Sequence, residues 1–334
     1  TRSLHVTGVQ TCALPISVFK RIIKNLIIFD YTFTNHKEKN VAEKHIDFKV
    51  NYRKLRIFEE CNTSEIKFPM VLSAPHCGQF FPEEFLNAVK MDINELRSNE
   101  DSFVDELVRP ASDAGIPMIS MNINRAFVDV NRDKIEIDPA MFFNHPQKDL
   151  PMGRRCRVGL GVIHRISANN NNIYDGLLNF DEVQERFRNV YDAYHKRLQQ
   201  LVDKCVKKFG FCLLVDCHSM PSKICSIMND GQNIEFCLGN LFEQSCPGEF
   251  GSFLKDELEK RKYHTTFNCP YSGAFITFNF CQPRRKIFTL QLETNRALYM
   301  EENTHKKNND FHKVSLDISA SLKALAQFLL DFKF

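Results

Sequence analysis

The chain has 334 residues, 43% apolar and 25% charged, with a formal net charge of +3 and an isoelectric point near 8.2. That balance excludes a disordered or fibrous chain and gives no electrostatic reason to expect a nucleic acid or a membrane surface as partner. The 12 cysteines contain no Cys-x-x-Cys pair and read as buried thiols of a cytoplasmic protein, not as a disulfide framework.

Taken in chain order, Thr1 to about Ser17 resembles translated adapter sequence and is set apart from the fold. Val18 to Phe29 is apolar with interspersed basic residues, which predicts an amphipathic packing segment. No run reaches about 18 consecutive apolar residues, so no membrane helix is predicted. Residues 30–65 are polar and show no period. The division expected from this is an N-terminal extension, 1–45, and a single catalytic domain, 46–334.

The first clear strand signal is Phe68 to Ala74. Pro82-Glu83-Glu84 opens a helix, and an apolar stripe of Phe103, Val104, Leu107 and Val108 predicts another from Glu100 to Ala114, stopped by Gly115. Strands are expected at Ile116 to Met121 and, briefly, at Ala126 to Val130. Residues 133–180 form a long connection rich in Asn, Pro and Gly, a length that usually serves function. Val183, Phe187, Val190, Tyr194, Leu198, Leu201 and Cys205 mark a helix from Asp181 to Gly210. The apolar run Phe211 to Val215 follows as a buried strand. An irregular stretch leads to a helix at Glu249 to Lys262, a strand at His264 to Asn268 and a strand at Lys286 to Glu293. Helices at Thr294 to about Glu302 and Val314 to Phe332 close the chain. Strands alternating with helices predict an α/β protein with three α/β/α layers.

The residues that carry chemistry sit where strands end. His218, in Asp216-Cys217-His218-Ser219, follows one apolar run, and His76, in Pro75-His76-Cys77-Gly78, follows another. An open α/β sheet places its chemistry at the carboxyl ends of its strands. A catalytic zinc takes three protein ligands and keeps one position open. The two histidines supply two, and Glu100 or Asp101 could supply the third. Glu293 closes the run Phe288 to Leu292, where a buried acid has a use as a general base. Arg125 and Arg132 flank Ala126 to Asn131. Arginine binds carboxylates bidentately, although Asp129 and Asp133 are also at hand as simple ion-pair partners.

Eight segments together resemble the N-formylglutamate amidohydrolase family, in the family's order and across roughly residues 66 to 302. They are Ser73 to Gly78, Glu100 to Asp105, Arg125 to Arg132, Gly159 to Ile163, Tyr194-His195, Asp216 to Pro221, Asn268 to Gly273 and Leu290 to Met300. The resemblance implies a fold of the zinc-carboxypeptidase and aspartoacylase type, with a central mixed sheet. It implies one zinc per chain, held by His76, Asp101 and His218, with Glu293 as general base and Arg125 polarising a carbonyl. It implies Asn131 and Arg132 as a carboxylate clamp, with Tyr271 and Gly273 also contacting substrate. The expected reaction is hydrolysis of a small N-acyl amino acid, first of all N-formyl-L-glutamate to formate and L-glutamate, as in histidine degradation. The alternatives are a related deacylase with another N-acyl or peptide substrate, or a non-catalytic binding protein of the same fold. Cys77 stands where the family usually has Ser or Gly, Ala274 where it has a second Gly, and Cys281-Gln282-Pro283 where it has Gly-Arg-Pro. These departures bear on the substrate more than on the chemistry.

Overall fold

In the computed structural model, which describes residues 44–89, 91–147, 149–227 and 233–334, the chain builds one seven-stranded sheet covered on both faces. The strands are β1 (His45–Ile46), β2 (Phe58–Cys61), β3 (Met70–Ala74), β4 (Met118–Met121), β5 (Leu177–Leu178), β6 (Cys212–Met220), β7 (Phe236–Gly239), β8 (Thr265–Phe267), β9 (Ile287–Asn295), β10 (Met300–Glu301) and β11 (Lys306–Lys307). The main sheet runs β2-β4-β3-β6-β9-β7-β8. Its centre is parallel, while β2 and the β7–β9 contact are antiparallel. The mixed three-layer α/β/α architecture expected from the alternating pattern is therefore the one observed.

The helices are α1 (Glu83–Val89), α2 (Ile93–Arg97), α3 (Val104–Asp113), α4 (Arg154–Arg157), α5 (Phe180–Arg186), α6 (Asp192–Phe209), α7 (Ser222–Ile227), α8 (Gly248–Lys260), α9 (Phe275–Phe280) and α10 (Phe311–Asp331). A single π turn, Phe187–Tyr191, joins α5 to α6, so the periodic segment is one nearly continuous rod, capped by Gly210 at φ 82°. Residues 44–334 form one compact unit.

The pleat explains the two cores. Side chains alternate between the faces of a strand. Met70, Leu72, Leu213, Val215, Leu290 and Leu292 pack with α3, α8 and α10 on one face. Val71, Leu214 and Ile287 pack with α1, α5 and α6 on the other. β3, β6 and β9 are buried along their whole length, as strands covered on both faces should be.

Several boundaries depart from the sequence pattern. β2 lies in the stretch that lacks a period. It is a half-buried edge strand carrying two glutamates, the composition that suits an edge. α7 and β7 interrupt the stretch expected to be irregular before Gly248, and α2 and α9 had no clear signal. Ala126 to Val130 is a series of turns, not a strand. α3 starts only at Val104, because Phe103 takes φ 66° and breaks the helical path. Glu100 and Asp101 therefore precede the helix instead of opening it. The helix expected at Thr294 to Glu302 is absent: β9 continues to Asn295 by pairing with β7, and a 3-10 turn at Arg296–Leu298 leads into β10. Tertiary pairing overrides local preference there. The packing segment expected at Val18 to Phe29, and nearly all of the 1–45 extension, lies outside the described residues. Among the described residues no helix is long and apolar enough to cross a membrane.

Candidate metal and hydrolytic site

On the face of the sheet covered by α5 and α6, the side chains change from apolar to polar toward the carboxyl ends of the strands. On β6 the same-face series is Leu214, Asp216, His218; on β9 it is Thr289, Gln291, Glu293; on β3 it is Val71, Ser73. The register sets His218 opposite Glu293 and Ser73 opposite Asp216. The turn after β3 brings in His76, whose carbonyl accepts the Asp101 amide at 2.9 Å. One backbone bond thus ties the two turns together. Gly78 allows this close approach, because a Cβ there would stand 2.4 Å from the Ile123 carbonyl oxygen.

His76, Asp101 and His218 converge, each offering one ligand atom within 4.8 Å of the others, and all three are buried. Asp101 Oδ2 lies 2.9 Å from His218 Nδ1 and 3.5 Å from His76 Nδ1. His76 Nδ1 is buried and makes no hydrogen bond among the described residues. Two donors about 2.1 Å from one ion at a tetrahedral angle are about 3.4 Å apart, so the spacing of His76 and Asp101 fits shared ligation. The outer nitrogens are committed elsewhere. His76 Nε2 bonds Asp129 Oδ1 at 2.7 Å, and His218 Nε2 bonds Asp216 Oδ2 at 2.8 Å. Each ring thus sets Nε2 against a carboxylate and turns Nδ1 toward Asp101 Oδ2, the arrangement that orients metal-binding histidines. Asp101 Oδ1 accepts from Ser219 Oγ at 3.1 Å and Arg296 Nη2 at 2.9 Å. The donor set and its supports fit a divalent metal. Glu100 faces away, taken by Arg97 at 2.7 Å, Ser102 at 2.6 Å and Asn124 at 3.0 Å.

The electrostatics follow from the same contacts. Burial works against charge on Asp101, but the hydrogen bond to His218, the facing His76 ring and the nearby Arg296 guanidinium hold it well below the usual carboxylate range. Asp129 is likewise penalised by burial yet kept well below that range by Arg125, His76 and Arg132. At Glu293 burial prevails. Burial pushes it up to about 7, with His218 opposing and Asp101 adding to the rise. Its Oε1 accepts from Gln291 Nε2 at 2.7 Å, while Oε2 has no partner among the described residues.

A cleft of about 310 Å³ opens over the cluster and is bordered by His76, Asp101, His218, Glu293, Arg125, Arg132, Tyr271 and Gly273. Apart from Glu100, the residues given a site role in the sequence thus meet at one cavity, and several of them also have partners within the protein. Arg125 gives Nη2 to Asp129 at 2.6 Å and Nη1 to the Asn99 carbonyl at 3.3 Å. The ion pair with Asp129 anticipated as the simple alternative is real, though buried and at the site. Asn131 borders the cleft with its amide already engaged: Nδ2 donates to Asp216 at 2.9 Å and Oδ1 accepts from the Ile276 amide at 2.7 Å. These bonds tie it to Asp216 and to the start of α9. Arg132 donates to the Asn131 and Leu160 carbonyls, and burial lowers it to about 10. Tyr271 is raised to about 12, chiefly by burial. Cys77 is a packing residue: its thiol donates to the Ala74 carbonyl, and burial holds it well above its usual pKa.

Sequence reasoning assigned no site role to Asp129, Asp216, Gln291, Arg296, Arg155 or His164. For two of them the signal was present. Asp216 and Gln291 stand two residues before His218 and Glu293 on fully buried strands, where period 2 puts each beside its neighbour. The others come from turns that only the fold brings close.

A metal-ligand cluster with buried carboxylate supports, next to a carboxyl poised near neutrality and under arginines that can hold an anion, is the equipment of a hydrolase. Comparison with known proteins makes the class specific. Residues 68–300 match the model of the N-formylglutamate amidohydrolase family, and the chain belongs to that family. It is accordingly a hydrolase acting on an amide bond. The chain is 26% identical to N-formylglutamate deformylase of Pseudomonas putida over 240 residues, covering 71% of this chain and 83% of that protein. The Pseudomonas aeruginosa enzyme of the same name is 24% identical over 245 residues, 71% of this chain and 84% of its own. Among solved structures, N-formylglutamate amidohydrolase from Ralstonia eutropha superposes with a TM-score of 0.76 at 28% identity, covering 82% of this chain and 99% of that one. A gene product of Agrobacterium tumefaciens, at 14% identity and a TM-score of 0.59 over 84% of this chain and 98% of its own, shares the fold.

Proposed function

We propose that this protein is a zinc-dependent deformylase that hydrolyses N-formyl-L-glutamate to formate and L-glutamate. The observation that carries the reading is the convergence of His76, Asp101 and His218 beside Glu293 in an arginine-bordered cleft. The named activity of the Pseudomonas and Ralstonia relatives supports the substrate. Zinc held by His76 Nδ1, Asp101 Oδ2 and His218 Nδ1 would supply Lewis acidity toward the formyl oxygen and the attacking water.

The remaining work falls to the chain's own side chains. Glu293, raised to about 7 by burial, is matched to taking a proton from water near neutral pH and returning it to the departing nitrogen. Arg125 faces the cleft and can donate to the oxygen on which negative charge develops. Asp129 keeps its guanidinium fixed, so little reorganisation is needed. Arg132 is a buried cation suited to a substrate carboxylate, and a carboxylate fixed there orients the amide toward Glu293. Tyr271 and Gly273 form the opposing wall. Asn131 acts through Asp216 by holding His218 in its tautomer.

The test is formate release by the purified, zinc-loaded full chain from a panel of N-formyl and N-acetyl amino acids. N-formyl-L-glutamate is expected to be the preferred substrate. Release of acetate from N-acetyl substrates without formate release would replace this reading with a different deacylase; release of neither would overturn it.

A further inference from the structure

Four guanidinium groups border the cleft, and three have partners within the protein. Arg125 is paired with Asp129 at 2.6 Å and Arg296 with Asp101 at 2.9 Å. Arg132 is held by the Asn131 and Leu160 carbonyls, with Glu136 at 3.9 Å. The fourth, Arg155, is exposed on the one-turn helix α4, and among the described residues no carboxylate pairs with it. Arg155 lines the same cleft as Arg132 and Tyr271.

The backbone beneath Arg155 is held by the hydrogen bonds of its own loop. The Arg155 carbonyl accepts the Leu160 amide at 2.9 Å, and Arg157 Nε donates to the Met152 carbonyl at 2.9 Å. Neighbouring Cys156 is buried. Leu160 is also the residue whose carbonyl receives Arg132 at 3.2 Å. One short loop therefore sets the spacing between a buried arginine and an exposed one. Arg132 has Glu136 within 3.9 Å, but Arg155 has no acid paired with it among the described residues, so a ligand that brings a second negative charge would meet an unpaired cation there.

We propose that Arg155 is a specificity-determining residue that binds the side-chain carboxylate of a dicarboxylic N-acyl amino acid, while the deeper Arg132 binds the α-carboxylate. The α-carboxylate lies one carbon from the reacting nitrogen and must sit deep. The side-chain carboxylate reaches outward to the rim, where Arg155 stands. This inference rests on the deformylase reading for the identity of the substrate, but not for the existence of the dicarboxylate site.

The experiment compares the wild type with Arg155→Gln and Arg155→Lys in the full zinc-loaded chain. Steady-state kinetics on N-formyl-L-glutamate and N-formyl-L-glutamine give the preference for the charged side chain. Calorimetric titration with L-glutamate and L-glutamine gives the same preference without turnover. Loss of a charge-assisted contact lowers the preference about 10- to 100-fold in Arg155→Gln, chiefly through KM for the dicarboxylate. Arg155→Lys, which keeps the charge but loses the fork, falls between. Unchanged preference in both assays for Arg155→Gln overturns the proposal, as does a wild type that shows no preference. If the wild type releases no formate but its glutamate binding still depends on Arg155, the substrate reading fails and the dicarboxylate site stands.

Discussion

Glu293→Gln should trade activity for stability in a way that reports on the desolvated carboxyl. Glu293 is buried, one of its oxygens has no partner among the described residues, and burial raises its pKa from 4.5 to about 7. The folded chain therefore holds this proton more tightly than the unfolded chain. Below about pH 4.5 both states are protonated and nothing is lost. Between 4.5 and 7 stability falls as pH rises, and above 7 the full cost is present. A shift of that size corresponds to about 3 kcal/mol. A glutamine keeps the bond from Gln291, since its oxygen accepts as Oε1 does, but it puts an amide where Oε2 had no partner, which gives back about 1 kcal/mol. Metal-free Glu293→Gln should thus be about 2 kcal/mol more stable than metal-free wild type at pH 8.5, with the difference disappearing toward pH 5. Urea unfolding of chelator-treated proteins across that range measures it. In the metal-loaded proteins the same substitution should lower kcat/KM about 100- to 10,000-fold while metal content stays near that of the wild type. Wild-type kcat/KM should rise with pH as Glu293 ionises. A variant no more stable than wild type at pH 8.5 would show that the carboxylate is already compensated, and the argument for a poised base would fall.

Two further substitutions separate ligands from their supports. Asp129→Asn removes the charge that orients His76, compensates Arg125 and meets His164 at 3.1 Å; metal affinity should drop about 10- to 100-fold in chelator competition. An unchanged affinity would mean that His76 needs no such orientation. Asp101→Asn should strip bound metal, whereas Glu100→Gln should retain it and lose about 1–3 kcal/mol of stability through its contacts with Arg97, Ser102 and Asn124. Metal analysis and unfolding of the two variants check this, and the opposite pattern would exchange the two acids' roles.

By itself the sequence determined the central strands, the long α5–α6 rod and the layer order, because apolar runs and a helical period survive in one dimension. It also marked His76, His218 and Glu293, since polar residues that end buried strands stand out against the apolar run before them. Only the tertiary structure put Asp101, and not Glu100, in the cluster with His76 and His218. Neighbouring side chains point in different directions, and Phe103 in a left-handed conformation breaks the helix that would have set them. It alone tied Asn131 to Asp216 and Ile276, because hydrogen-bond partners 85 and 145 residues away cannot be read from spacing. And it alone brought Arg155, His164 and Arg296 to the cleft and Asp129 to His76. They lie in turns and on short elements whose positions are set by the packing of residues far away in the chain, not by a local period.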